Sequence, residues 1–177
     1  YSARSRYENS EIYNAAGATE PLIGIINSVL SAQYTANVVL EYQYEEFSHY
    51  DIIVVPEWND MSDEEISRLA DYARNGGKLV VSGGELCIRF GKELGYEFER
   101  VMPDKKNTAY TDQEASDDSF IRYQLKDDDG GMEQINGEFA NLGDGEEYLY
   151  YNNDLRDSAI PAYRICETGK GSTAFIP

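Results

Sequence analysis

A single histidine, His49, stands in the 177 residues, with one tryptophan and two cysteines. A nucleophile that needs an imidazole partner has one position from which to draw it. Cys87 and Cys166 permit one disulfide and do not imply one, so the redox compartment stays open. Positive charge is also short: 15 Lys and Arg face 33 Asp and Glu, a formal net charge of -18. Phosphate backbones and anionic lipid would be repelled, which excludes nucleic acid and membrane surfaces as partners. The acidity itself reads as a solvated surface, with divalent-cation binding as the alternative. No apolar run approaches the roughly 20 residues that cross a bilayer, and no signal peptide opens at Tyr1. The chain starts abruptly and ends at Ile176-Pro177 directly after a strand-like segment, as expected of a piece of a longer polypeptide.

What is present is organised around residues 50 to 95. Ile52-Ile53-Val54-Val55, closed by Pro56, is a continuous β-branched run of the kind buried on both faces of a parallel sheet. Ser62 precedes Glu65 by the capping-box spacing, and Ile66, Leu69, Ala70 and Ala73 recur on one helical face. Gly76-Gly77 end that helix, and Lys78-Leu79-Val80-Val81 begin a second buried strand. Ser82-Gly83-Gly84 then turn into a helix carrying Leu86, Phe90 and Leu94, stopped by Gly95. Open α/β sheets place their sites at such a turn, where the carboxyl end of a parallel strand meets a helix start.

Before this unit, Thr19 and Pro21 mark a helix start. Leu22, Ile25, Ile26, Val29 and Leu30 then follow the spacing of a core-facing helix, and residues 37–42 are expected to be a short strand, with Glu45 to His49 a connecting turn. After Gly95 the texture changes. Tyr96, Phe98 and Val101 alternate as in a strand, residues 103–118 are polar, and short strands are expected at 120–125, 147–151, 162–166 and 172–176. The fold class is therefore α/β, a three-layer, mainly parallel sheet with a β-rich C-terminal extension. One domain spans 1–177, with 1–102 as its α/β core and 103–177 as the extension.

The run from Tyr50 to Pro56, the amphipathic helix, and Asn75-Gly76-Gly77-Lys78 through Ser82-Gly83-Gly84 together resemble the flavodoxin-like domain of the class I glutamine amidotransferase superfamily. They are most similar to the version found as an accessory or trimerisation domain in multidomain β-galactosidases and related glycoside hydrolases. Ile160-Pro161-Ala162-Tyr163 with Thr168-Gly169-Lys170-Gly171 resembles the final hairpin of those domains, and Tyr1 to Tyr7 the segment after their first strand. In active members the nucleophilic cysteine stands at the strand-to-helix turn, where this chain has Gly84. Cys87 lies about one helical turn later, as a buried structural thiol, and the family's catalytic histidine follows the nucleophile, where this chain has none. The resemblance thus implies a domain that kept the fold and lost the chemistry, with no catalytic residue.

The candidate binding crevice comprises Glu57, Trp58, Ser82, Gly83, Gly84, Glu85 and Arg89. Glu57 and Glu85, at the ends of neighbouring strands, suit sugar hydroxyls or a carboxylate pair for glycosidic chemistry. Alternatively Glu85 favours its helix start through the dipole and Glu57 is solvated. Asp127-Asp128-Asp129-Gly130-Gly131 and Asn152-Asn153-Asp154 with Asp157 offer oxygen ligands of the sort calcium takes, but neither has the full loop with a terminal Glu. Turn chemistry accounts for both, and no cofactor or metal site is assigned. Tyr148, Tyr150 and Tyr151 in one strand suit sugar stacking, packing against another protein, or simply filling a sheet. Gly169-Lys170-Gly171 is a hairpin turn, too short for a phosphate loop. The expected function is a non-catalytic accessory domain of a glycoside hydrolase, for assembly, interdomain packing or active-site shaping. A carbohydrate-binding module and a free-standing hydrolase with carboxylate catalysis are the alternatives. Partners would be other domains of the same polypeptide, a homo-oligomer or carbohydrate, and the glycoside hydrolase resemblance favours a secreted or periplasmic setting.

Overall fold

The computed structural model describes residues 20–58, 60–101, 121–123, 133–135, 139–151 and 156–177. Two compact units share them, one comprising Tyr1–Val81 and Glu167–Thr173, the other Ser82–Cys166 and Ala174–Pro177.

The first unit holds α1 (Glu20–Ser31), a 3-10 helix (Tyr44–His49), β1 (Ile52–Val55), α2 (Asp63–Arg74) and nearly all of β2 (Lys78–Ser82). β1 and β2 pair in parallel, Ile52 opposite Lys78 and Val55 opposite Val81, with α2 as the crossover between them. The helix starts where the sequence predicts. Ser62 Oγ accepts from the Glu65 amide while Glu65 Oε2 takes the Ser62 amide at 2.7 Å, so two otherwise orphaned donors are satisfied. Ile66, Leu69, Ala70 and Ala73 of α2 are buried, together with Val55, Met61, Leu79 and Val81.

The carbonyl end of α2 is closed by a β-hairpin. β8 (Arg156–Thr168) turns through Gly169, at φ 61°, into β9 (Gly171–Ile176). The Lys170 amide donates to Arg74 O at 3.0 Å and the Ser172 amide to Gly77 O at 3.2 Å. Inside the hairpin the buried hydroxyls of Thr168 and Thr173 bond each other at 3.0 Å, so neither is left unpaired. Within this unit the strand order is β1-β2-β9-β8.

The second unit is built on α3 (Gly84–Leu94), which packs against β3 (Glu99–Val101) and β6 (Phe139–Asn141), themselves an antiparallel pair. Leu86, Cys87 and Phe90 on α3 are fully buried with Phe139, Leu142 and Phe175. Phe98 meets Phe175 edge to face at 4.9 Å, and the Arg164 guanidinium lies 5.5 Å from the Tyr96 ring centre and donates to Leu142 O. Gly91 is where Phe98 lies against the helix: a Cβ there would stand 2.5 Å from the ring. Here the strand order is β9-β8-β7-β4-β5, with β4 (Ile121–Tyr123), β5 (Glu133–Ile135) and β7 (Glu146–Tyr151). β4 pairs antiparallel with β5 and β7, and β7 with β8. The β7–β8 register slips between Tyr148 and Tyr150, beside Pro161, a residue that cannot donate to a ladder.

The chain is thus a mixed α/β protein with parallel pairing in its first half and antiparallel strands in its second. Three local expectations need correction. Residues 37–42 form no strand: the Leu40 amide donates to Gln43 Oε1 and the Gln43 amide to Leu40 O, both at 2.9 Å. These local bonds close a turn with the groups that a ladder would use. The stretch expected as a connecting turn is instead the 3-10 helix. And α1 forms as predicted but presents no fully buried residue among those described; Ile23 is 52% and Leu30 54% exposed.

Candidate functional site

The turn after β2 is the place where the sequence predicts function. Gly83 caps α3 at φ 103° and ψ 135°, a backbone that a side chain would strain. Its amide donates to Ile176 O at 2.9 Å, which ties the turn to the end of β9. Ser82 is half-buried, and Gly84, the first residue of α3, is buried. Gly83 and Gly84 bring no side chain to this turn.

One turn on, Cys87 is fully buried, and its thiol donates to the same Ile176 carbonyl at 3.4 Å. Burial pushes the Cys87 thiol up to about 12, so it carries almost no thiolate at neutral pH. Cys166 is buried as well, and neither cysteine is in a disulfide. His49 lies in the first unit, exposed, 3.0 Å from Glu46 Oε2.

Glu85, in the first turn of α3, is held by the Arg100 guanidinium of β3. Its carboxylate is therefore occupied by a structural partner as well as placed at a helix start. Arg89 follows on the same helix, half-buried and engaged in interactions of its own. Ser82, Gly83, Gly84 and Glu85 thus share one strand-to-helix turn, with Arg89 one helical turn further. Glu57 and Trp58 follow β1 in the first unit, Glu57 exposed and Trp58 half-buried.

Trp58 borders a small apolar cavity of about 140 Å³ walled by Val38, Leu40, Val55, Met61 and Leu69. Its indole Nε1 is buried with no hydrogen-bond partner among the described residues. A buried N–H without a partner costs about 1–3 kcal/mol. Trp58→Phe, which keeps a ring and removes the N–H, is therefore expected to leave stability unchanged or to raise it by up to about 1 kcal/mol. Urea unfolding checks this, and a loss above about 2 kcal/mol would mean that the indole fills space a phenyl ring cannot.

The larger cleft, about 800 Å³, lies at the other end of β1 and β2, and sequence reasoning missed it. It is lined by Tyr44, Phe47 and Tyr50, spaced three apart, by Asp51, and by Tyr72, Asn75 and Lys78. Three is the period of a 3-10 helix, so Tyr44 and Phe47 align along one edge and meet edge to face at 5.7 Å. That spacing was the available signal; a search at period 3.6 does not see it. Tyr72 donates from its hydroxyl to Tyr50 O at 2.9 Å, which fixes its ring at the cleft wall.

The described residues hold no group of three or more His, Cys, Asp or Glu arranged to bind a metal ion, and no described helix is long and apolar enough to cross a membrane. The calcium-like stretches at 127–131 and 152–154, and the side chains of Asp157, Tyr148, Tyr150 and Tyr151, lie outside what is described.

Residues 27–84 match the family model described as the beta-galactosidase trimerisation domain, less than half of the chain. No curated protein matches the sequence. Among solved structures, the exo-beta-1,4-mannosidase Op5Man5 from Opitutaceae bacterium strain TAV5 is similar with a TM-score of 0.58 at 14% identity, over 96% of this chain and 29% of that one. Gan42B, a GH42 beta-galactosidase from G. stearothermophilus, is similar with a TM-score of 0.56 at 17% identity, over 97% of this chain and 25% of that one. At these identities the likeness is one of fold, and the chain spans less than a third of the length of either enzyme.

Proposed function

We propose that this chain is a non-catalytic, glutamine amidotransferase-like domain of flavodoxin type that serves the assembly of a larger glycoside hydrolase. The observation that carries the reading is the match of residues 27–84 to a trimerisation domain. The turn after β2 supports it: Gly84 offers nothing to attack with, Cys87 is buried and protonated, and His49 lies on another element. In this reading the turn from Ser82 to Glu85 is the relic of a catalytic elbow, kept for the glycine geometry that joins β2 to α3.

An assembly domain needs exposed apolar residues, and the first unit has several. Ile23, Leu30, Tyr34, Val38, Tyr42 and Ile52 are each at least half exposed, all within residues 20–55. Single exposed apolar residues are ordinary, but six in so short a stretch suit an interface. A second copy of the chain is the occupant that the family match favours.

Sedimentation equilibrium of the protein that carries this chain tests the reading. A trimer is expected at micromolar concentration, and Leu30→Glu with Val38→Glu is expected to shift it to monomer with the circular dichroism spectrum unchanged. A wild-type monomer, or hydrolysis of glutamine or aryl glycosides by the isolated chain, would overturn it.

A further inference from the structure

From the cleft at the amino ends of β1 and β2 we infer a binding site for a short neutral oligosaccharide, independent of the assembly reading. Its volume, about 800 Å³, is within the usual range of small-molecule sites, about 300–1,000 Å³. It lies at the opposite end of β2 from the Ser82 turn, so it owes nothing to the position where this architecture ordinarily binds.

The wall chemistry selects the ligand. Phe47 and Tyr72 are fixed edge to face at 6.4 Å, and the Tyr72 hydroxyl donates its proton to Tyr50 O. Held this way, the rings form an apolar wall that needs no reordering on binding. Around it, Asp51, Asn75 and Lys78 are exposed, and their side chains make no hydrogen bond or ion pair with any described residue. Asp51 and Lys78 are held side by side by the bond from the Lys78 amide to Asp51 O, 3.1 Å. A carboxylate that only accepts, an ammonium that only donates and an amide that does both are the set that engages neighbouring hydroxyls, each a donor and an acceptor. Aromatic rings beside them suit the C–H face of a pyranose.

Charge removes the competing ligand classes. Arg68 is committed to Glu64 at 2.6 Å and lies over the Tyr44 ring at 4.2 Å, while Asp71 is committed to Arg74 at 2.8 Å. The charges left uncommitted on the cleft wall are Glu45, Asp51 and Lys78. A phosphate or carboxylate ligand would meet two anions for one cation. A divalent cation finds no cluster of ligands among the described residues. A neutral, hydroxyl-rich ligand meets neither obstacle.

The test is a ¹H–¹⁵N titration of the whole chain with β-1,4-mannotriose and with β-1,4-galactobiose. Saturable shifts confined to residues 44–52 and 71–78 are expected with at least one of them, with a Kd on the order of 1 mM. Asp51→Asn and Lys78→Met, neither of which removes a core contact, are each expected to weaken binding tenfold or more with the spectrum otherwise unchanged. Tyr50→Ala, which keeps the backbone acceptor for Tyr72, is expected to do the same. Absence of saturable shifts at about 50 mM of either sugar, shifts that none of the three variants alters, or tighter binding of a phosphorylated sugar would each overturn the site. None of these outcomes depends on oligomeric state, so the cleft and the assembly reading fail separately.

Discussion

Gly171→Val is expected to cost the protein more than about 3 kcal/mol, a large share of the 5–15 kcal/mol that holds a typical domain together. The reason is steric and local. A Cβ on Gly171 would lie 2.0 Å from Gly77 O and 2.5 Å from Ala73 O, both main-chain atoms at the end of α2. Backbone of that kind cannot swing aside as a side chain could. Seating valine means lifting the hairpin, which strips Arg74 O and Gly77 O of the Lys170 and Ser172 amides. Each bond is worth about 1 kcal/mol, and helix-end carbonyls buried without partners cost more. Overpacking adds a further 1–3 kcal/mol or so. Urea unfolding should show a lower midpoint at constant slope, and the exposed neighbour Lys170→Ala should change stability by less than about 0.5 kcal/mol. If Gly171→Val shifts stability by under about 1 kcal/mol, the hairpin does not sit on α2 as described.

This contact also marks how far sequence reasoning reaches. Gly169-Lys170-Gly171 is legible as a hairpin turn because two glycines between strand-like runs have a local cause. That the turn lies against α2, nearly a hundred residues earlier, is a tertiary fact with no periodic signature. The same division runs through the first unit. The capping box at Ser62 and Glu65 and the β-branched run at Ile52–Val55 are local, and both are found where predicted. The apolar stripe of α1 forecasts a helix correctly, yet periodicity cannot say what covers it, and Leu30 is more exposed than covered. Val38-Val39-Leu40 has strand propensity, but the Gln43 amide takes the Leu40 N–H, a side-chain preference that propensity scales average away. β5 and β6 are three residues each, too short to show a period. At the candidate site, the absence of a side chain at Gly84 is readable residue by residue. The partner of Glu85 is not, because Arg100 reaches it from β3, a separate element.

Cys87 gives the second large effect, through pH. Below about pH 9 the thiol is protonated folded or unfolded, and its burial contributes in full. Above that, the unfolded thiol ionises from its ordinary value of 9.0 while the folded one, pushed up to about 12, keeps its proton. The unfolded state gains what the folded state cannot, so stability falls by about 1.4 kcal/mol per pH unit from pH 9 to 12 and levels off above. Lysines and tyrosines titrate there too, Tyr72 among them with its own burial-raised value. Cys87→Ala shares all of those, so the difference between its pH profile and that of the wild type isolates the thiol. The wild type should fall more steeply across that window, and parallel profiles would show that Cys87 is solvated when folded. Alkylation at pH 8 reads the same property kinetically: the folded thiol should react about 1,000-fold more slowly than the unfolded one, in proportion to its thiolate fraction. Modification of Cys87 at the rate of a free thiol would return it to candidacy as a nucleophile and remove the physical basis for calling the turn after β2 inert.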